Sequence, residues 1–504
     1  MSRFSFILII FTLLTIFDPL KSEENYNNLI KIYIERNVLV NEGQLTTSDS
    51  KLNDLMKEKG VIKLTRWLPT AKENDSYENI FLSRYYLVKF SDPIKELEET
   101  INSFSRLSTI RLAEHVPIAS TNDTPNDEYW QQLYGLRQIN AENAFNLWDY
   151  QNDEIPGFLS NDEVVVGIVD LGLMWDHPDL IDNIWRNLGE DADGDGDVIE
   201  FIDNQWVFDP GDTNSIDDDG DGFVDNFLGY DVASENNDPH PRQNLIMDHG
   251  TLVAGCVSAM TNNEIGVASV GWSVKLMGIS CGQDPPSLSH PYEGLLAAAQ
   301  MGADIINMSF GSTSWTESNQ VLINFISEEF GCVLVASAGN SGVQDAHYPA
   351  SYDNVISVTA TDPGNNFDCW PNFHETVDIS APGSEIWTTT PFTTLDQDMY
   401  EPATGTSFSS PIVAGSLALL KTVFPHGDSK MLESQILSTV SYFDDMDGDC
   451  DGQSLVGMLG EGQLNVYNAL TMQPLTEVRV KDIYAESQGG LSVPGDTNEI
   501  VLSL

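Results

Sequence analysis

An aspartate, a histidine and a serine stand far apart in this chain, each framed by glycines. They are Asp170 at the end of VVVGIVD, His249 in DHGTLVAG and Ser407 in GTSFSSPIVAG. A serine hydroxyl is a weak nucleophile at neutral pH. It needs a base to take its proton and an acid to hold that base in the right tautomer. Here Ser407 would attack, His249 would take and return the proton, and Asp170 would orient and stabilise the imidazolium. A fourth segment, SAGN, ends at Asn340. Its side-chain amide and the backbone N–H of Ser407, at the positive end of an expected helix, form a candidate pair of donors for a developing oxyanion. Each residue alone is ordinary: a turn aspartate, a capping histidine, a common GTS. Only the joint order carries weight.

Such groups must be positioned by something rigid. Continuous apolar, β-branched runs at residues 164–169, 275–280, 304–310, 332–338 and 354–360 read as buried strands, with helical stretches such as residues 294–301 between them. That pattern predicts an α/β domain with a doubly wound parallel sheet. In such sheets the chemistry lies beyond the carboxyl ends of the strands, where Asp170 and Asn340 fall.

These motifs resemble the subtilisin-like serine peptidases. The family's aspartate segment ends in D-[ST]-G with HPDL following; here it is D-L-G at Asp170 and HPDL at residues 177–180. The histidine segment, usually HGTHVAG, is HGTLVAG. The serine segment, usually GTSMAxPxVAG, is GTSFSSPIVAG. NMSFG at 307–311, YPASYDNVISVTATD, ISAPG and GEGQLNVYNAL at 460–470 are also family-like, so the resemblance covers roughly residues 120–472. It implies a serine endopeptidase that needs no cofactor for catalysis and hydrolyses proteins or peptides through an acyl-enzyme on Ser407. It implies an extended substrate strand along Ser309, Phe310 and Gly311 on one side and Ala336, Ser337, Ala338 and Gly339 on the other. Leu171 departs from the pattern, replacing a hydroxyl residue that can hydrogen-bond the aspartate. It is expected to raise the pKa of Asp170 and blunt activity without removing the triad. Leu252 and Phe408 are expected to tune packing. Leu171 also keeps an alternative open, a weakly active or inactive relative serving as a calcium-stabilised extracellular binding protein.

The chain has 504 residues, with 23 Lys+Arg against 77 Asp+Glu and a formal net charge of −54. Such acidity repels phosphate backbones and anionic lipid surfaces, which excludes nucleic-acid and peripheral membrane binding. Most of it reads as a solvated, salt-tolerant surface. Residues 1–22 read as a signal peptide: Arg3, an apolar run from Phe4 to Phe17, then Asp18, Pro19 and Lys21. The expected destination is secreted, extracellular or at the cell surface, with no membrane association after cleavage. The five cysteines are an odd number with no CxxC spacing, and no bridge can be assigned. Cys256 and Cys332 lie in apolar runs and are expected to be buried.

Residues 23–120 read as a small α+β domain, and 121–472 as the peptidase domain behind a polar linker at 118–130. By resemblance the first unit is a propeptide, an intramolecular inhibitor removed by autoprocessing; a permanent accessory domain is the alternative. Residues 473–504 read as a short β tail, either packed on the peptidase domain or opening a further β domain. Between Asp170 and His249 lie two acidic loops. In the second, Asp217, Asp219, Asp221 and Asp225 take positions one, three, five and nine of an EF-hand-like loop, with Gly222 at six. Leu228 stands where the twelfth, acidic ligand belongs, and Asp231 is a candidate substitute. The first loop offers Asp191, Asp193 and Asp195; a third run, Asp447, Asp449 and Asp451, is weaker. Hard oxygen ligands at this spacing favour structural Ca²⁺.

Overall fold

The computed structural model describes residues 29–41, 45–77, 80–91, 94, 97–115, 124–148, 154–159, 163–241, 249–282, 287–391 and 399–472. The leader and the tail lie outside the described residues.

The amino-terminal unit alternates β1 (Leu29–Ile34), α1 (Ser50–Glu58), β2 (Val61–Arg66), β3 (Tyr85–Phe90), α2 (Leu97–Ser105) and β4 (Ile110–His115). Its sheet order is β2-β3-β1-β4, all antiparallel. This is the split β-α-β arrangement of ferredoxin-like domains. Period-two alternation in β1 and β3 sends Ile30, Ile32, Tyr86 and Val88 inward. They form a core of their own with Leu52, Met56 and Phe104.

The larger unit is built on seven parallel strands. These are β5 (Val165–Asp170), β6 (Gly229–Asp231), β7 (Lys275–Ser280), β8 (Ile305–Met308), β9 (Val333–Ser337), β10 (Val355–Thr361) and β11 (Ile379–Pro382). Their spatial order is β6-β7-β5-β8-β9-β10-β11. The chain runs from β5 out to the β6 edge, returns through β7, and continues on the far side of β5 from β8 onward. That reversal puts a crevice at the carboxyl ends of β5 and β8. The expected strands are found within one or two residues of their expected bounds. The short edge strands β6 and β11 carry no comparable apolar run.

Both sheet faces are covered. On one, α3 (His249–Ser258) packs against α5 (Thr406–Val423) over Val166, Ile168, Val335 and Ile356. On the other, α4 (Pro291–Gln300) lies over Val169, Ile279 and Ile306. Each central strand is therefore buried on both faces, which is why it reads as unbroken apolar sequence. The polar stretch taken as a linker is docked where it is described: Trp130 enters the core, and the Tyr129 amide donates to Gly266 O at 2.9 Å. Cys369 and Cys450 form a disulfide beside a small cluster of Phe367, Phe373 and Leu455. Cys256, Cys281 and Cys332 are free and buried.

Candidate active site

Asp170 ends β5 and is 2% exposed. His249 opens α3, and its Nδ1 lies 3.0 Å and 2.9 Å from the two carboxylate oxygens of Asp170. Gly250 makes that approach possible, since a Cβ there would stand 2.1 Å from Gly172 O and 3.1 Å from Asp170 Cβ. The backbone amide of Leu171 donates to Asp170 Oδ1 at 2.8 Å. A hydrogen bond to the carboxylate thus survives the loss of a side-chain hydroxyl at 171.

Ser407 is the second residue of α5, and its Oγ donates to Ser309 O at 3.3 Å. The ring of Phe408 lies 5.8 Å from that of His249. Asp170, His249 and Ser309–Ser312 line one cleft of about 490 Å³ together with Leu288, Tyr292 and Tyr348. Two of the three motifs line this cleft, and the serine motif adjoins it through the Ser407–Ser309 hydrogen bond and the Phe408 ring.

Asn340 lies three residues beyond β9. Its Oδ1 accepts from the Thr406 amide at 2.9 Å and from the Thr406 hydroxyl at 2.8 Å. With the oxygen so fixed, the NH₂ group is directed past Gly405, 3.4 Å from where a Cβ of that glycine would stand. Asn372 is 4% exposed and secures the loop from below: its Nδ2 donates to Ala338 O at 2.9 Å, and its Oδ1 accepts from the Ser341 amide at 2.9 Å.

Ser309, Phe310 and Gly311 follow β8 into the cleft. Ser337 ends β9, paired with Val358, and Ala338 and Gly339 continue beyond it past the end of β8; none of the three is in the cleft lining. Ala336 is fully buried and flanked by Met308 and Ser357 in the sheet, and Ser337 and Ala338 are each only 3% exposed.

A buried polar network was not foreseen. Pro411 lies within α5 and has no N–H to give to the carbonyl of Ser407, four residues back. The Ser309 hydroxyl donates to that carbonyl at 2.8 Å. Asn307 Nδ2 in turn donates to Ser309 Oγ at 2.9 Å, and Ser410 Oγ to Asn307 Oδ1 at 2.7 Å. The NMSFG and GTSFSSP motifs contain every member, but only the fold shows that they bond to one another. Ser309→Ala strips a side-chain donor from the half-buried Ser407 carbonyl and is expected to cost about 0.5–1.5 kcal/mol of stability. It should also lower kcat, because the helix turn carrying Ser407 loses its tie. Urea unfolding in a Ser407→Ala background, with kinetics in the parent, checks both.

His347 was also missed. Its imidazole lies against both walls: a Cβ at Gly311 would be 2.4 Å from His347 Nε2, and one at Gly339 would be 3.2 Å from its Cγ. Burial lowers its pKa.

Two further buried carboxylates converge at one edge of the domain. Asp179 of HPDL accepts from the Val267 amide and from Asn263 Nδ2, and Asp127 accepts from the Asn262 amide. Burial pushes Asp179 up to about 8 and Asp127 to about 6; the Asp127 charge adds to the rise at Asp179. An unfolded aspartate titrates near 3.9, so the native state holds more protons between about pH 4 and 8. Stability from this group is therefore full below about pH 4 and falls by up to about 1.4 kcal/mol per pH unit as pH rises toward 8. Melts of the Ser407→Ala protein in chelator should fall across that window, and Asp179→Asn should flatten the slope. An equal slope in the variant would remove Asp179 as its source.

The acidic loops differ in part from expectation. A carboxylate oxygen of Glu190, which is 0% exposed, gathers with those of Asp217 and Asp219 within 4.8 Å. Neither Asp221 nor Asp225 is in that group: Asp221 accepts from the Phe223 amide and Asn226 Nδ2, and Asp225 from the Ser215 amide at 3.0 Å. Asp231 lies in β6, and its carboxylate accepts from Ser234 N. The first loop gathers Asp191 and Asp193 with Asp212, and Asp193 and Asp195 with Asp209. Asp209, Asp212 and Glu190 lie outside the D-x-D-G-D-G pattern, so spacing could not reveal them. Asp447, Asp449 and Asp451 form no such group among the described residues.

The subtilase family model matches residues 161–465, and the chain belongs to that family. It is 27% identical over 453 residues to the thermophilic serine proteinase of Bacillus sp. (strain AK1), covering 89% of this chain and 91% of that one. It is 28% identical over 346 residues to the halolysin-like extracellular serine protease Nep of Natrialba magadii, covering 68% of this chain but 54% of that protein. Thermitase of Thermoactinomyces vulgaris is 30% identical over 300 residues, 59% of this chain and 85% of its own length. No helix among the described residues is long and apolar enough to cross a membrane.

Proposed function

We propose that this chain is an exported serine endopeptidase. The observation that carries the reading is the pairing of His249 Nδ1 with the Asp170 carboxylate at 2.9 Å in a cleft lined by Ser309, to whose carbonyl the Ser407 hydroxyl donates. Ser407 Oγ attacks the scissile carbonyl while His249 takes its proton; Asp170 fixes the tautomer and stabilises the imidazolium. The Asn340 NH₂ and the Ser407 N–H at the start of α5 receive the oxyanion. His249 then protonates the leaving amine, and water, activated by the same imidazole, releases the acyl group. Substrate lies extended between Ser309–Gly311 and Ser337–Gly339, bonded through main-chain groups.

The amino-terminal α+β unit is read as an inhibitory propeptide removed by the enzyme itself. Export rests on the apolar leader at residues 4–17, and it accords with the extracellular location in the name of the Natrialba relative. The carboxylate-rich loops are read as structural Ca²⁺ sites, for which clustered hard oxygen donors are suited. The ion would stabilise the folded state by binding it alone. A fluorophosphonate probe tests the catalytic reading. Covalent labelling of the mature form supports it; a folded, calcium-loaded protein that never labels would sink it in favour of a binding role.

A further inference from the structure

The two acidic loops are two copies of one structure. Asp191 accepts from the amides of Gly194 and Gly196 at 2.7 and 3.0 Å. Asp217 accepts from those of Gly220 and Gly222 at 2.7 and 3.0 Å. The glycines repeat their torsions, φ +78° and +102° in the first loop and +79° and +101° in the second.

Each loop is also held by an acid from outside it, and the holding is crossed. Asp212 Oδ1 accepts from the amides of Ala192 and Asp193 at 2.8 and 3.2 Å. Glu190 Oε1 accepts from the matching amides of Asp218 and Asp219 at 2.9 and 3.3 Å. Glu190 immediately precedes the first loop yet braces the second. Asp212 shortly precedes the second loop yet braces the first. The carboxylate groups match as well: Asp191, Asp193 and Asp212 in one, Glu190, Asp217 and Asp219 in the other, each with oxygens within 4.8 Å of one another.

Both braces are 0% exposed. Asp212 Oδ2 is buried and accepts no hydrogen bond. A buried carboxylate oxygen without a donor, in a group with two more carboxylates, carries both a desolvation and a repulsion cost. A divalent cation removes both.

We propose that loops 191–196 and 217–222 form a cross-braced pair of Ca²⁺ sites, in which Asp212 is a ligand of the first ion and Glu190 of the second. Each brace is continuous in the chain with the other loop, so ordering one loop fixes a ligand of its neighbour and the two ions bind as a coupled unit. This rests on the calcium reading of the loops given above.

The test counts bound Ca²⁺ per chain by equilibrium dialysis on the Ser407→Ala protein. Asp191→Asn and Asp217→Asn probe the loops themselves. Asp212→Asn probes the brace: its remaining oxygen still accepts the two loop amides, and circular dichroism in chelator should match the parent. Asp212→Asn is expected to lose one ion and to weaken the ion in the second loop roughly fivefold or more. Glu190→Gln should do the converse. A full ion count at parental affinity in Asp212→Asn, while Asp191→Asn loses an ion, would overturn the brace. Loss of one ion with the other bound as in the parent would overturn the coupling. A parent that binds no Ca²⁺ would overturn the loop reading itself.

Discussion

Ser407→Ala, expressed from the full chain, is expected to remain at precursor length and to take up no fluorophosphonate. Its kcat on any peptide that the parent cleaves should fall by about 10⁶, the scale known for losing the nucleophile of such a triad in this family. The expectation follows from geometry. His249 is oriented by Asp170 through Nδ1, so Nε2, unprotonated in that tautomer, is the atom that takes up and returns the serine proton. Ser309, the hydroxyl nearest in the chain of hydrogen bonds, is committed elsewhere, since it donates to the Ser407 carbonyl. Mass spectrometry of the expressed protein in a protease-deficient host reads the processing. A Ser407→Ala chain trimmed there as the parent is would defeat autoprocessing, and one that still turned over substrate would defeat the assignment of Ser407.

Asn340→Ala should lower kcat by roughly 10²–10³ with little change in KM, again the scale known for one such donor in this family. The side chain's oxygen is committed to Thr406, by both its amide and its hydroxyl, which leaves the NH₂ as the group offered to the cleft. A donor to the oxyanion acts mainly on the transition state, hence the split between kcat and KM. Asn340→Asp keeps the acceptor for Thr406 but replaces the donor with a negative oxygen, so it should be at least as impaired as the alanine. Steady-state kinetics on a single peptide decides. A rise in KM at constant kcat would show that Asn340 binds substrate without stabilising the oxyanion.

The family motifs and the strands that carry them were legible because each has a local signature. A central parallel strand is apolar throughout since both faces are covered, and glycines mark the places where backbones must nearly touch, as Gly250 and Gly172 do. What escaped notice has no local signature. Glu190 and Asp212 look like two more acids in an acidic region, and only the crossing of the two loops buries them against each other's amides. Asp127 falls in a stretch whose composition reads as a polar linker, yet it is buried beside the loop that also binds Asp179. The disulfide between Cys369 and Cys450 could not be chosen among five cysteines by spacing.

The sequence by itself determined the family, the parallel sheet and the candidate groups proposed as nucleophile, base, orienting acid and amide donor. Tertiary structure alone decided how those groups are tied in place and which acids face one another. Sequence spacing governs neighbours along a strand or helix turn. The hydroxyl that replaces the missing N–H of Pro411 and the carboxylate that braces a distant loop come from segments brought together only by folding.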